Sequence, residues 1–494
     1  MIMPANALYR CEQIRACEQQ ATSLYQLDEN TLMSRAGAEA FFHIAKLYPN
    51  VRHIAIYCGA GNNAGDGYVV ARLAHEQGLL VTIYQCKAVI DLPFAAQHAA
   101  LMAINAGVEC QAADEPLDSE VELIVDALLG IGLTGPVHGV IASAINQINA
   151  SGLPVVSLDI PSGLNADTGK IENFCVKANT TLTFIAQKKG MYTADGPDYC
   201  GEIHSCSLQL DSCVSQLIPA ARLLSWDTLP LPIAKRKKNS HKGNYGHVLV
   251  IGGGPGMPGA ISLAAKAVMR TGAGAVTVAT WPEHAKGALS LIPEAMVCGV
   301  ETAQDLKPLL AQATVCIIGP GLGESEWATN LFLTAITSQL PMVIDASALR
   351  LLAENPQLDD NWILTPHPGE AACLLSCSTD LIQKDRYQAA ANIQKQYGGV
   401  VVLKGAGTVI QTADKDTSVC PRGNPAMASA GMGDVLSGII AGLCAQGYSL
   451  SEAAQCGVWA HAVAGDRVAK KLGGAGLLAS DLFDVLPHVL NYPE

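Results

Sequence analysis

Near the end of the 494-residue chain, Asp434 directly follows Gly431-Met432-Gly433. It opens an apolar run at helical spacing: Val435, Leu436, Ile439, Ile440 and Leu443. A glycine turn that leads into a helix aims several backbone N–H groups at one point, together with the positive end of the helix dipole. Phosphate binds well at such a point. A carboxylate beside it is repulsive unless it has a task, and the natural task is to take a proton from a hydroxyl that attacks phosphorus. The alternative is an ordinary helix with an acidic first turn, stabilised by about 0.3–1 kcal/mol.

A second set of chemically able residues lies in the first half. The apolar segment His53–Cys58 runs into Gly59-Ala-Gly-Asn-Asn-Ala-Gly-Asp-Gly67, and a helical pattern follows from Tyr68 to His75. Strand, glycine loop and helix form the phosphate-binding unit of doubly wound folds. The spacing is not the dinucleotide fingerprint, because Asn62, Asn63 and Asp66 occupy the heart of the loop; an Asn/Gly-rich turn without a ligand is the other reading. Asp126 sits inside the apolar run Leu123–Leu129, where a carboxylate is costly unless paired or bound to a cation. Gly130-Ile-Gly-Leu-Thr-Gly-Pro136 follows at once, and the next apolar run ends in Asp159-Ile-Pro-Ser162-Gly163. Three successive strand ends therefore carry Asn62/Asn63, Asp126 and Asp159/Ser162. In an open parallel sheet the ligand crevice lies at those ends.

The elements that must position these residues alternate strand and helix throughout, which predicts an α/β protein of more than one domain. Hydrophobic residues make up 49% of the chain and charged residues 15%, enough for large cores. The 47 glycines suit many tight strand-to-helix turns. A net charge of −13 argues against a general nucleic-acid binder. The 16 cysteines are scattered singly with no Cys-x-x-Cys pair, which speaks for reduced thiols rather than disulfides or a zinc ribbon. Neither a signal-type segment nor a run of eighteen apolar residues occurs, so a cytoplasmic protein with no membrane partner is expected.

The pattern weakens from about 210 to 240, where prolines at 219, 230 and 232 and the basic run Lys235–Lys238 read as a linker. A second α/β series begins near Lys242. Its Gly254, Gly256 and Gly259 match G-x-G-x-x-G only weakly, since prolines interrupt the loop and no acidic residue ends the next strand. Further strands run into Pro320-Gly-Leu-Gly323, Ala346–Leu349, Pro366-His-Pro-Gly-Glu370 and Lys404-Gly-Ala-Gly-Thr408.

Taken together, GAGNNAGDG, DALLGIGLTGP and DIPSGLNADTG resemble the epimerase domain of NAD(P)H-hydrate repair proteins. KGNYG, GPGLG, TPHPGE, VVLKGAGT and NPAMASAGMGDVLSG resemble the ribokinase-like NAD(P)H-hydrate dehydratase, and the fused order is that of the bifunctional bacterial form. Ala64 stands where a glycine is common, and Met432 where the wider kinase superfamily has small residues. The resemblance implies a Rossmann-like doubly wound domain over residues 1–222 and a ribokinase-like domain over residues 223–494. The first would interconvert R and S hydrates, with Asp159 as acid/base. Asn62, Asn63, Ala64, Gly65 and Asp66 would hold the hydrate together with Gly130, Ile131, Gly132, Leu133, Thr134, Gly135 and Pro136. Asn63, Asp126 and Ser162 would coordinate K+. The second domain would dehydrate the S form with ADP as phosphoryl donor and Mg2+. There Asp434 would be the base, Gly431 and Gly433 the anion hole, and Lys404, Gly405, Ala406, Gly407 and Thr408 part of the nucleotide pocket. Ala260, Gly321 and His367 are the implied hydrate contacts, and Glu370 would hold the water shell of Mg2+. The expected partners are small-molecule substrates and further copies of the chain. The competing reading is a small-molecule kinase fused to a non-catalytic ligand-binding domain.

Overall fold

The computed structural model describes residues 6–25 and 27–492. Its chain divides into two compact units, Met1–Arg222 and Leu223–Glu494.

In the first unit β1 (Ala7–Leu8) pairs antiparallel with β9 (Ala221–Leu223). Between them lie β2 (His53–Cys58), β3 (Leu80–Gln85), β4 (Glu109–Ala112), β5 (Leu123–Ala127), β6 (Val155–Leu158), β7 (Thr180–Phe184) and β8 (Glu202–Cys206). These form a seven-stranded sheet in the order β4-β3-β2-β5-β6-β7-β8, with every pair parallel. The sheet is covered on both faces, so its central strands read as continuous apolar runs rather than alternating ones. Along β2, Ile54, Ile56 and Cys58 enter one core while Ala55 and Tyr57 enter another. Order reverses between β2 and β5, whose chain ends diverge and open the crevice.

The second unit contains β10 (His247–Ile251), β11 (Ala275–Thr280), β12 (Met296–Gly299), β13 (Val315–Ile318), β14 (Met342–Ile344), β15 (Trp362–Leu364), β16 (Val400–Leu403), β17 (Thr408–Gln411) and β18 (Thr417–Cys420). From β16 the sheet runs parallel through β15, β14, β13, β10 and β11 to β12. On the other side β17 and β18 continue it antiparallel. The helix Met432–Ala445 packs on the helix Pro258–Thr271 at backbone distance, because Gly438 and Gly442 face Ala264 and Thr271 with no side chain between.

The structure departs from the sequence reading at several places. Helical spacing predicts helices from about Ala7 to Leu47; helices do occupy Cys11–Tyr25 and Glu29–Leu47, but Ala7–Leu8 is a strand. Asp159 lies outside β6, because its φ of 67° is incompatible with a strand. The hairpin β17–β18 and the edge pair β7–β8 carry polar residues and were not legible as strands. Sixteen free cysteines and no membrane-length apolar helix occur among the described residues.

Candidate active sites

The crevice of the first unit starts where two loops touch. Gly59 donates its N–H to Ala127 O at 3.1 Å, and a Cβ on Gly59 would strike the Leu128 carbonyl. The loop then enters the helix Asn62–Glu76, whose N-cap Gly61 offers no side-chain cap. Of the first-turn N–H groups, that of Ala64 donates to Gly61 O at 3.2 Å, and no side chain of the N-cap residue covers those of Asn62 and Asn63. Asn63 is buried, and its Nδ2 donates to Leu158 O at 3.3 Å. Its Oδ1 is buried without a partner. Asn62 and Gly61 are exposed, and Ala64 and Gly65 are buried.

Asp126 is fully buried, and its two oxygens accept four bonds. Oδ1 receives Ser162 Oγ at 2.6 Å and Leu128 N at 3.1 Å, while Oδ2 receives Ser157 Oγ at 2.7 Å and Ser162 N at 2.9 Å. Burial pushes its carboxyl up, and the bonds from Ser162, Ser157 and Leu128 work against that rise. The buried charge that the sequence assigned to an ion is therefore satisfied by the protein's own donors. Ser162 Oγ also accepts from Leu129 N at 2.8 Å, which ties the end of β5 to the loop after β6.

Asp159 stands at the mouth of this crevice with its side chain 11% exposed. Its Oδ1 lies 2.5 Å from Lys188 Nζ, and Lys188 is completely buried. Its Oδ2 accepts the Ile131 N–H at 3.2 Å. Arg15 Nη2 holds the Ile131 carbonyl at 3.0 Å, so both polar groups of that peptide-flanking residue are engaged. Gly130 approaches both Asp159 and Asn63, where a Cβ would sit 3.1 Å from Asp159 Oδ2 and 3.4 Å from Asn63 Cβ. Beyond it, Gly132, Thr134, Gly135 and Pro136 are exposed and Leu133 is half-buried. Two more carboxylates feel Asp159. Burial, followed by Asp159 and Glu18, pushes Asp66 well above the carboxylate range. Burial and then Asp159 raise Glu18, although Lys188 and Arg15 oppose this. Sequence reading placed Asn63, Asp66, Gly130, Ile131 and Asp159 near one another but missed Lys188 and Glu18. Lys188 lies four residues beyond the end of β7, and recognising that strand would have exposed it.

In the second unit the strand ends converge on Lys404. Its Nζ lies 2.8 Å from Asp345 Oδ1 and 3.6 Å from Glu370 Oε2. It is therefore an inward cation rather than a solvated strand end. Burial alone would push Asp345 up, but Lys404, with hydrogen bonds from Lys404, Ser437 and Thr365, more than offsets this and holds it below its ordinary value. Burial likewise would lower Lys404, and Asp345 and Glu370 outweigh it. Arg386, also buried, donates Nη2 to the carbonyls of Leu403 and Lys404 at 3.1 Å each. Gly405 (φ 142°) passes directly over that guanidinium, and Thr408 Oγ1 closes the turn by donating to Gly405 O at 3.1 Å. Ala406 and Gly407 form the rest of this turn. Arg386 gave no local signal in the sequence, because the carbonyls that hold its Nη2 lie at a distant strand end, while Gln383 Oε1, 3.0 Å from Nη1, is local.

The glycine turn lies beside this cluster. Gly431 has φ 87°, and a Cβ there would drive into Leu263, so a side chain is excluded both by conformation and by space. A Cβ on Gly433 would sit 3.3 Å from Lys404 Nζ and 3.6 Å from Asp345 Oδ2. Asp434 is in the first turn of the helix, and its carboxyl is pushed up to about 7, by burial first and then by Asp345 and Glu370 against the pull of Lys404. Ser429 Oγ and His461 Nε2, near the same turn, are buried without partners. Burial lowers His461 to about 4, against a hydrogen bond to the Met432 backbone.

Ala260 and Gly321 are neighbours, with a Gly321 Cβ position 3.2 Å from Ala260 Cβ. His367 caps the helix Pro368–Leu374: its Nδ1 accepts from Gly369 N at 2.9 Å, and its own N–H goes to Glu370 Oε2 at 2.7 Å. The cap leaves half of the imidazole surface exposed, 52%, for a ligand.

Both units have known relatives. The model of the NAD(P)H-hydrate dehydratase family matches residues 248–488, and that of the YjeF-related protein N-terminus matches residues 29–190. A bifunctional NAD(P)H-hydrate repair enzyme of Coxiella burnetii is 48% identical, over 98% of this chain and 99% of that protein. One from Escherichia coli is 42% identical, over 99% and 95%. Among solved structures, a ribokinase-like superfamily protein from Enterococcus faecalis is 31% identical with a TM-score of 0.51, covering 56% of this chain and 96% of that one. The chain belongs to the family of bifunctional NAD(P)H-hydrate repair enzymes, an epimerase and a dehydratase on one polypeptide.

Proposed function

We propose that the two activities divide between the two units, with Asp159 as the acid/base of epimerisation and Asp434 as the base of dehydration. The observation that carries the second assignment is the Asp434 carboxyl at about 7, set at a glycine turn beside Lys404. A base poised near neutral pH both accepts a proton readily and is largely ionised when needed. Asp434 takes the proton of the S hydroxyl at C6 as that oxygen bonds to the β-phosphorus of ADP, and the bond from that phosphorus to the α-phosphate oxygen breaks to release AMP. Phosphate, unlike hydroxide, then leaves C6 readily. The ring nitrogen supplies electron density, and loss of a C5 proton restores the C5–C6 double bond of NAD(P)H. The backbone N–H groups at Gly431 and Gly433, with Lys404, hold the transferred phosphoryl group. Gly405, Ala406, Gly407 and Thr408 line the nucleotide pocket, while Ala260, Gly321 and His367 contact the hydrate.

Magnesium would arrive with the nucleotide. No cluster of three or more His, Cys, Asp or Glu suited to a metal occurs among the described residues, and this fits an ion held by phosphates and water with Glu370 in support. When bound, it neutralises charge on the transferred group. Potassium fits the first unit at the orphaned Asn63 Oδ1, a hard oxygen donor that has no other partner there. Asp126 and Ser162, already engaged with each other and with neighbouring donors, would have to give up bonds to join it, and the ion would fix the Asn63 loop against the hydrate. The deciding experiment follows resolved R and S hydrates with ADP or with ATP. Release of AMP and phosphate in step with NAD(P)H, faster with ADP than ATP, supports this reading. Net accumulation of a phosphorylated product would replace it by a plain kinase.

A further inference from the structure

Lys188 is completely buried, and its ammonium has three acceptors: Asp159 Oδ1 at 2.5 Å, Thr183 Oγ1 at 2.8 Å and the Phe184 carbonyl at 2.8 Å. Three donors meet three acceptors, so the group is fully satisfied as a cation. A buried lysine is costly unless its charge is matched, and the matching charge here is the carboxylate at the mouth of the crevice. The strand β7 supplies the two neutral acceptors, which fix Nζ independently of Asp159.

The two oxygens of Asp159 are consequently unlike. Oδ1 is locked to a buried cation by a charge-assisted bond. Oδ2 carries one longer bond, 3.2 Å, to the Ile131 N–H in the loop at Gly130–Pro136. The backbone fixes where the carboxylate starts: the bond from Asp159 N to Leu182 O at 2.8 Å anchors the residue to β7, and its φ of 67° turns the chain out of the strand there.

Resting on the reading of Asp159 as the acid/base, we propose that Lys188 is a positioning residue for epimerisation. It holds Oδ1 and thereby makes Oδ2 the oxygen that exchanges a proton with the hydrate once the Ile131 N–H is released. Lys188 does not touch the substrate. Its buried ammonium fixes the rotamer of the carboxylate and keeps the working lone pair aimed into the crevice. Other charged groups around Asp159 are the carboxylates Glu18 and Asp66, and the further cation nearby, Arg15, is bonded to the Ile131 carbonyl rather than to Asp159.

The test uses the full chain, resolved R hydrate and three variants. Lys188→Gln should lower kcat for epimerisation by about 10- to 100-fold, no more than the low end of the roughly 10²–10⁴-fold that the acid/base itself contributes. KM should change less than about 2-fold. The solvent deuterium isotope effect on kcat should rise, because a loosely held carboxylate makes proton transfer slower; loss of folded protein would leave that ratio unmoved. Thr183→Val removes one acceptor of the ammonium without touching Asp159, and should change both quantities in the same direction by less. Wild-type kcat and isotope effect in folded Lys188→Gln overturns the proposal. If that variant does not fold, the same wild-type result in Thr183→Val overturns it. Asp159→Asn separates the two ideas: full epimerisation by that variant removes the acid/base reading itself, whatever Lys188 does.

Discussion

Ser437 Oγ donates to Asp345 Oδ2 at 2.8 Å. The helix that bears Asp434 is thereby fastened, one turn later, to the carboxylate that pairs with Lys404. Asp434, Lys404 and the glycine turn are thus held by one short chain of side chains rather than by separate loops. The distances that matter for phosphoryl transfer depend on how α/β strand ends meet this helix, not on loop order.

With Asp434 at about 7, dehydration of the S hydrate should rise with pH through neutrality and level off above about pH 8. Asp434→Asn should lower that rate by about 10²–10⁴ and remove the dependence, leaving nucleotide binding nearly unchanged. The measurement is kcat against pH for both proteins with the pure S hydrate.

The same raised carboxyl predicts a gain in stability. A carboxyl whose folded value lies above its unfolded value favours the folded chain fully below about pH 4, and that contribution is lost as pH rises through about 7. Asp434→Asn should therefore stabilise the second unit at pH 8, with a ceiling on the order of 4 kcal/mol, and change little at pH 4. Denaturant midpoints at the two pH values check this.

Lys404→Met removes the cation from Asp345, which is buried to 2% of its side chain. A buried charge stripped of its partner costs about 3–5 kcal/mol. Asp345 is held below its ordinary value in the intact protein, so its contribution is present at neutral pH and fades on acidification. The deficit of the variant should accordingly be largest near pH 7 and narrow as pH falls. Equal deficits at both ends would show that Lys404 acts through packing.

Asp126→Ala leaves two hydroxyls and two amides without their acceptor. Epimerisation should collapse while dehydration of supplied S hydrate persists. Asn63→Ala probes the ion more cleanly, since Asn63 Oδ1 has no protein partner to lose and the side chain gives up only the 3.3 Å bond from Nδ2 to Leu158 O. It should abolish any response of epimerisation to exchanging K+ for a non-binding cation, with the unit's thermal midpoint little changed.

Separately expressed halves, cut between Arg222 and Leu223, should each fold and keep one activity. Two soluble, folded halves with neither activity would contradict the division of labour.

The glycine loops at Gly59–Gly67 and Gly431–Gly433 were legible because tight turns at strand ends leave a compositional mark. Asp126 was legible as a carboxylate in an apolar run, but its hydroxyl and amide donors were not, since Ser157 and Ser162 lie on another strand and its loop. Lys188 and Arg386 read locally as ordinary surface charges. Their burial is decided by which strand ends come together, a tertiary fact with no periodic trace. His367 gave a partial signal: the histidine three residues before a glutamate marks a helix cap.

The left-handed backbone at Asp159 also settles which acid can serve there. Most side chains are penalised by about 1–2 kcal/mol in that conformation, whereas aspartate, asparagine and glycine enter it readily. Glutamate, the chemically closest substitute, would meet that penalty and also carry its carboxylate one carbon too far to stay between Lys188 and Ile131. The backbone thus restricts the vocabulary at this position, and an asparagine swap tests the proton while an alanine swap would mix lost chemistry with a changed chain path.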